Sequence, residues 1–192
     1  MPRSGEDARR RLQKAAFELF QERGYDQTTA AEIAARAGVT ERTFFRHFPD
    51  KKEVLFAGEA AFRETLTGAV TTAPGALAPL EALRWGLRTV SRQLEQYRPF
   101  SEMRQRVIAE APALRERELA KAAALIGGLA EALQRRGVDG QEAALAAHMG
   151  MAAFLYAMNS WQSDATGGLD AHLDRAFDQL RALCASPLKP DR

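Results

Sequence analysis

Leu80, Leu83, Leu87, Val90, Leu94 and Tyr97 recur at spacings of 3, 4, 3, 4 and 3, and this rhythm, with interruptions, runs through almost the whole chain. Apolar residues at that period line one face of an α-helix and match no strand. An alternating strand pattern is missing, as is a repeat of the length seen in solenoids. Leu12, Ala16, Leu19 and Phe20 form a first stripe that ends near Gly24. Thr29 with Glu32 three residues on reads as a capping box opening a short second helix, which Gly38 closes. Thr40 caps a third helix carrying Phe44 and Phe48, and Pro49 ends it. Asp50 and Glu53 suggest a further capping box and a fourth helix running to about Thr71. "TTAPGALAP" then reads as a linker.

Beyond it lie longer helices. Pro99 and Pro112 break the pattern, and Phe100, Met103, Val107 and Ala111 fall between them. A helix from about Ala113 to Arg136 is expected to bury Leu119, Ala122, Ile126, Leu129 and Leu133. Helices over about Gln141 to Ser163 and Leu169 to Ala185 follow. The expected fold is all-α, about nine helices: a three-helix helix-turn-helix domain over 1–52, a helical bundle over 53–186, and a disordered tail over 187–192.

Composition narrows the function. The 46% hydrophobic and 27% charged content fits a globular chain. The lone Cys184 permits no internal disulfide and reads as a small packed hydrophobe. No apolar run reaches membrane-spanning length, and "MPRSGEDARRRL" lacks the apolar core of a signal peptide, so no membrane partner and a cytoplasmic location are expected. The net charge is +2, yet residues 1–52 hold 11 Lys/Arg against 8 Asp/Glu. An anionic partner would therefore meet the first fifty residues.

"AGVTERTFFRHFPDKKEVLF", residues 37–56, mixes four phenylalanines with arginine, histidine and lysine. A helix-turn-helix accounts for the mixture. Phe44 and Phe48 anchor a very short helix, while Thr40, Glu41, Arg42, Thr43 and Arg46 face outward, where the second helix of such a motif meets base edges. His47 and Lys51 flank its end within reach of phosphates. The alternative is a helical interaction module whose charges merely face water.

"RRRLQKAAFELFQERGYDQTTAAEIAARAGVTERTFFRHFPDKKEVLF", residues 9–56, closely resembles the N-terminal domain of TetR-type transcriptional regulators. The resemblance implies a helical homodimer with a DNA-binding N-terminal domain and a divergent ligand-binding C-terminal domain. It implies that Thr40, Glu41, Arg42 and Thr43 touch bases or the adjacent backbone, that His47 and Lys51 contact phosphates, and that Thr29 meets the backbone. Phe45 stands where the family usually has a phosphate-contacting tyrosine, so contact there is limited to van der Waals. "TERTFFRHFPDKKEV" also resembles the branch similar to the mycofactocin-system regulator, which implies an acyl-CoA-like ligand.

In the helix from Gln141, a stripe of small residues, Ala143, Ala146, Gly150, Ala153 and Ala157, opposes a larger face with Leu145, Leu155 and Tyr156. A helix apolar all round is buried on both faces. The family's dimer, built from the last two helices of each subunit, fits the small stripe together with Leu173, Phe177 and Leu180; burial in one subunit's core is the alternative. Trp85, Phe100, Met103, Arg104, His148, Met151, Leu155 and Asn159 are candidates to line an effector pocket or to serve as plain core, with His148 read as a hydrogen-bonded core histidine. Neither the three histidines nor Cys184 has metal-ligand spacing, and no catalytic motif is present. No metal, no cofactor and no enzyme activity are expected. The function expected is a repressor that binds a palindromic operator in double-stranded DNA as a dimer and is released by a small apolar effector.

Overall fold

The computed structural model describes residues 3–164 and 166–185; the expected disordered tail lies outside them. Among the described residues there are nine α-helices and no strands. They form two compact units, Met1–Glu59 with Pro99–Lys121, and Ala60–Arg98 with Ala122–Arg192.

In the first unit α1 (Arg3–Arg23) buries Leu12, Ala16, Leu19 and Phe20. Gly24, at φ 83°, ends it, as a residue without Cβ does at low cost. Next, α2 (Ala30–Arg36) carries the full capping box: Glu32 N–H donates to the Thr29 hydroxyl at 3.3 Å, and the Glu32 carboxylate accepts from Thr29 N–H at 2.8 Å. Such a cap contributes about 1 kcal/mol. Gly38, at φ 67°, turns the chain; Val39 N–H donates to Ala34 C=O and Gly38 N–H to Ala35 C=O, satisfying the helix end. Then α3 (Glu41–His47) is anchored by Phe44, 0% exposed, and by Phe48 just after it, 2% exposed.

The expected helix after Asp50 does not start there. Asp50 accepts from Lys52 and Glu53 N–H, but only a 3₁₀ turn, Lys52–Val54, follows, and Glu53 turns to Arg117 instead of closing a capping box. Val54, Leu55 and Phe56 are all buried. Successive α-helical residues point about 100° apart, so three in a row go inward only if the backbone is irregular. Gly58, at φ 94°, completes the irregular stretch before α4 (Glu59–Thr72).

This unit also takes in α6 (Arg98–Glu110) and the start of α7 (Pro112–Arg135). Val107, Ile108, Ala111 and Leu114 join the α1–α3 core, and Phe100 packs edge-on to Phe17 at 4.2 Å. The division at residue 52 is therefore not where the compact units part. Arg104 donates to Leu55 C=O at 2.7 Å and pairs with Glu118; Arg117 pairs with Glu53 and Glu59, and both guanidiniums lie over Phe56.

In the second unit α5 (Pro79–Gln96) packs on α8 (Gly140–Ser163) and α9 (Leu169–Ala185). Leu83, Leu87 and Val90 form the α5 seam, while Tyr97 stands 56% exposed beyond its end. "TTAPGALAP" is no interdomain linker: it is the turn between α4 and α5 within this unit, pinned by Arg136, which donates to the carbonyls of Val70, Ala73, Pro74 and Leu77. Leu119 is 70% exposed, against expectation, because the buried seam of α7 runs through Leu114, Leu125, Leu129 and Leu133, with Glu118 and Lys121 filling its intermediate positions. Cys184 is also exposed.

The small stripe of α8 faces its own unit. Ala143, Ala146, Gly150, Ala153 and Ala157 are buried, and a Cβ at Gly150 would stand 2.7 Å from Leu83 Cδ1. Leu173 and Phe177 are buried in the same core, and Leu180 packs at its edge. Seven of the eight expected dimer-interface residues are thus buried within the subunit, and Leu180 is partly buried at its edge. What α8 leaves exposed is the opposite face, with Leu145, Leu155 and Tyr156.

Candidate nucleic-acid interface

The short helix α3 owes its position to two phenylalanines and its start to two threonines. Thr43 N–H donates to the Thr40 hydroxyl at 3.2 Å, and the two hydroxyls share a hydrogen bond at 3.0 Å. With Phe44 and Phe48 inward, Glu41, Arg42, Phe45 and Arg46 are exposed together on the outer face, and Thr40 is exposed at its start. Phe45 is 50% exposed and sits edge-on to Phe44 at 5.3 Å, so a rigid apolar ring stands among the charges.

The charges of this unit sort themselves sharply. Arg10 and Arg11 share Asp7, Arg23 meets Glu32, Arg36 meets Glu18 and Glu22, and Lys52 meets Asp50. Among the described residues of α1 to the 3₁₀ turn, Arg9, Arg42 and Arg46 have neither a carboxylate nor a carbonyl partner. Two of these are outward-facing on α3. Arg9 escaped sequence reasoning, because within "ARRRL" nothing local sets it apart from Arg10 and Arg11.

The residues expected to grip phosphate are placed differently. Lys51 donates to the carbonyls of Tyr25 at 2.8 Å, Thr28 at 2.9 Å and Asp26 at 3.4 Å, so its ammonium holds the loop between α1 and α2. An ammonium has three donors, and three carbonyls accept from it here. Burial, then Asp50, Asp26 and Glu53, push the Tyr25 hydroxyl up to about 12. His47 is half-buried, with Nε2 enclosed and unpaired. Burial first, then Arg46 and Arg9, hold its imidazole below the ordinary value. Thr29 is exposed at the start of α2, with its hydroxyl proton donated to Glu32 at 2.7 Å.

The expected pocket residues are divided between the two units. Phe100, Met103 and Arg104 belong to the first unit, where the Arg104 side chain is committed to Leu55 and Glu118. In the second unit Met151 lies in the core, whereas His148, Leu155 and Asn159 are exposed on α8, and His148 pairs only with Ala144 C=O of its own helix. Trp85, half-exposed, walls an open groove of about 430 Å³ along α5 with Arg84, Arg88 and Leu77. Among the described residues no group of His, Cys, Asp and Glu is arranged to hold a metal ion, and no helix is long and apolar enough to cross a membrane.

Residues 12–57 match the family described as "Bacterial regulatory proteins, tetR family", and residues 77–185 match "MftR C-terminal domain". The HTH-type transcriptional regulator TcmR of Streptomyces glaucescens is 39% identical over 82 residues, 43% of this chain and 36% of that protein. The chain thus spans about a third of the curated relative it matches. Two solved structures resemble the whole chain. Thermus thermophilus FadR, a TetR family transcriptional repressor in complex with lauroyl-CoA, is 25% identical, with a TM-score of 0.55 over 96% of this chain and 98% of that one. The SmeT–triclosan complex is 24% identical, with a TM-score of 0.66 over 92% of this chain and 90% of that one. At that second identity the likeness speaks for the fold.

Proposed function

The chain belongs to the TetR family of bacterial regulatory proteins, with an MftR-type C-terminal domain, and we propose that it binds a palindromic operator as a homodimer and represses transcription until an apolar, acyl-chain effector releases it. The family is one of transcription factors, not enzymes. The observation that carries the DNA reading is the outer face of α3: Arg42 and Arg46 stand there with no ion pair among the described residues, on a helix that Phe44 and Phe48 anchor. Arginine in that setting recognises guanine O6 and N7 bidentately, or a phosphate. Thr40, Glu41, Thr43 and Phe45 complete the surface offered to the groove, and Thr29 lies at the α2 end that meets the backbone. His47 and Lys51 enter this reading as supports of the surface.

The dimer reading rests on the exposed apolar face of α8. Leu145, Leu155 and Tyr156, 63%, 49% and 55% exposed, recur along one side of a helix whose other side is already packed. A second copy of the same face is the self-complementary partner that two-fold symmetry supplies. Two recognition helices then stand about 34–36 Å apart, one turn of B-DNA.

The effector class rests on the MftR-type domain and on the likeness to FadR, which was captured with lauroyl-CoA. An effector releases DNA only if it prefers the subunit arrangement that DNA does not, and reciprocity then makes operator DNA weaken effector binding by the same factor. The test has two stages: recover bound fragments from sheared genomic DNA, then titrate the recovered duplex complex with a panel of acyl-CoAs and fatty acids. Release of the duplex by one chain-length class is expected. If none shifts affinity more than about twofold, well below the usual 5–150-fold of allosteric effectors, and none binds the free protein, the acyl reading is wrong.

A further inference from the structure

The first turns of α1 lie against the end of α3. A Cβ at Gly5 would stand 4.0 Å from His47 Cε1, and the Arg9 guanidinium lies 5.4 Å from the centre of the Phe48 ring. That cation–π contact fixes Arg9 at the end of α3, where Arg46 precedes His47 in the chain, and the charges of both arginines act on the His47 ring. Asp7, the acid that could have neutralised the cluster, is turned to Arg10 and Arg11 at 3.3 and 3.4 Å. Arginines from two helices thus act on one imidazole, and among the described residues neither has a carboxylate within ion-pair distance. Like charges held together raise the free energy of the free protein, and an anion between them lowers it.

We propose that Arg9 forms, with Arg46 beside His47, a seat for one phosphodiester of the DNA backbone, so that α1 grips the duplex alongside α3. This rests on the DNA-binding reading and extends it to a helix outside the helix-turn-helix. Phe48 serves twice: its buried ring anchors α3, and the face of the same ring positions the arginine from α1. The seat reads no base. It sets how deeply and at what angle α3 enters the groove, since backbone contacts fix register and orientation.

The experiment is a salt titration of duplex binding by the full chain and by Arg9→Ala, Arg9→Gln and Arg9→Lys, on the operator and on an unrelated duplex, with thermal unfolding to confirm that each variant folds. Arg9→Ala and Arg9→Gln should lower the slope of log affinity against log salt by about 0.9 and weaken both duplexes by the same factor. Arg9→Lys should keep the slope. Replacing operator phosphates one at a time by neutral methylphosphonate should reveal one position that weakens the wild type and leaves Arg9→Ala unaffected. An unchanged slope overturns the proposal, whether affinity is also unchanged or falls because α3 has lost its support. If the wild type binds neither duplex, the DNA-binding reading itself fails, which is a different result from any Arg9 variant behaving like the wild type.

Discussion

The Lys51 ammonium donates to the Tyr25 carbonyl at 2.8 Å and stands 4.2 Å above the centre of the Tyr25 ring. With Asp26 and Thr28 as further acceptors, one side chain ties the residues after α3 to the loop before α2. Lys51→Met should therefore cost about 1.5–3 kcal/mol of unfolding free energy, the range for hydrogen bonds to a charged group. The salt slope of DNA binding should stay as in the wild type, whereas Arg46→Ala should lower it. Denaturant unfolding and a salt titration measure the two effects. A slope lower by about one unit in Lys51→Met would show that the lysine leaves the loop for a phosphate.

Gly150 and Tyr156 lie on opposite faces of α8 and separate folding from assembly. Gly150→Leu drives a side chain into Leu83 and should destabilise the subunit by about 1–3 kcal/mol through overpacking. Tyr156→Glu places a charge on the exposed face and should leave secondary structure and subunit fold intact while light scattering reports a monomer. If Gly150→Leu dissociates the protein without destabilising it, the small stripe is the interface after all.

His47 predicts a pH dependence with a definite sign. Its folded-state pKa lies below the unfolded value of about 6.5, because burial first and then Arg46 and Arg9 disfavour the imidazolium. Its contribution is present above the unfolded value and is lost as pH falls through the folded one. His47→Gln should thus lose less stability than the wild type between about pH 7.5 and about pH 5. Parallel curves for the two proteins would mean that His47 titrates alike in both states.

Much of this molecule is legible in local sequence, and the rest is long-range. The Thr29–Glu32 box, the Gly38 turn and the helix breaks at Pro99 and Pro112 involve residues within a few positions of each other, and each stands where the sequence puts it. Periodicity shows that α8 has two apolar faces but not which one turns inward; that depends on Leu83, far away in sequence, packing closely against Gly150. It places Leu119 in a stripe because a stripe of leucines is the simplest reading, whereas Arg104 makes the charged Glu118 and Lys121 the residues of that seam. Lys51, Arg9 and Arg136 are alike in this respect: each is an unremarkable cation in the sequence, and its role comes from carbonyls or a ring brought near by the fold.

The central claim is that the outer face of α3 reads DNA sequence, and affinity for the recovered operator against a scrambled duplex, at one salt concentration near physiological, tests it most directly. The wild type should prefer the operator by about 10³-fold or more. Arg42→Ala should lose about 1–3 kcal/mol of that preference, all of it at one base-pair position in each half-site. Equal affinity of the wild type for both duplexes, or an Arg42→Ala variant that weakens the two by one common factor, would contradict it.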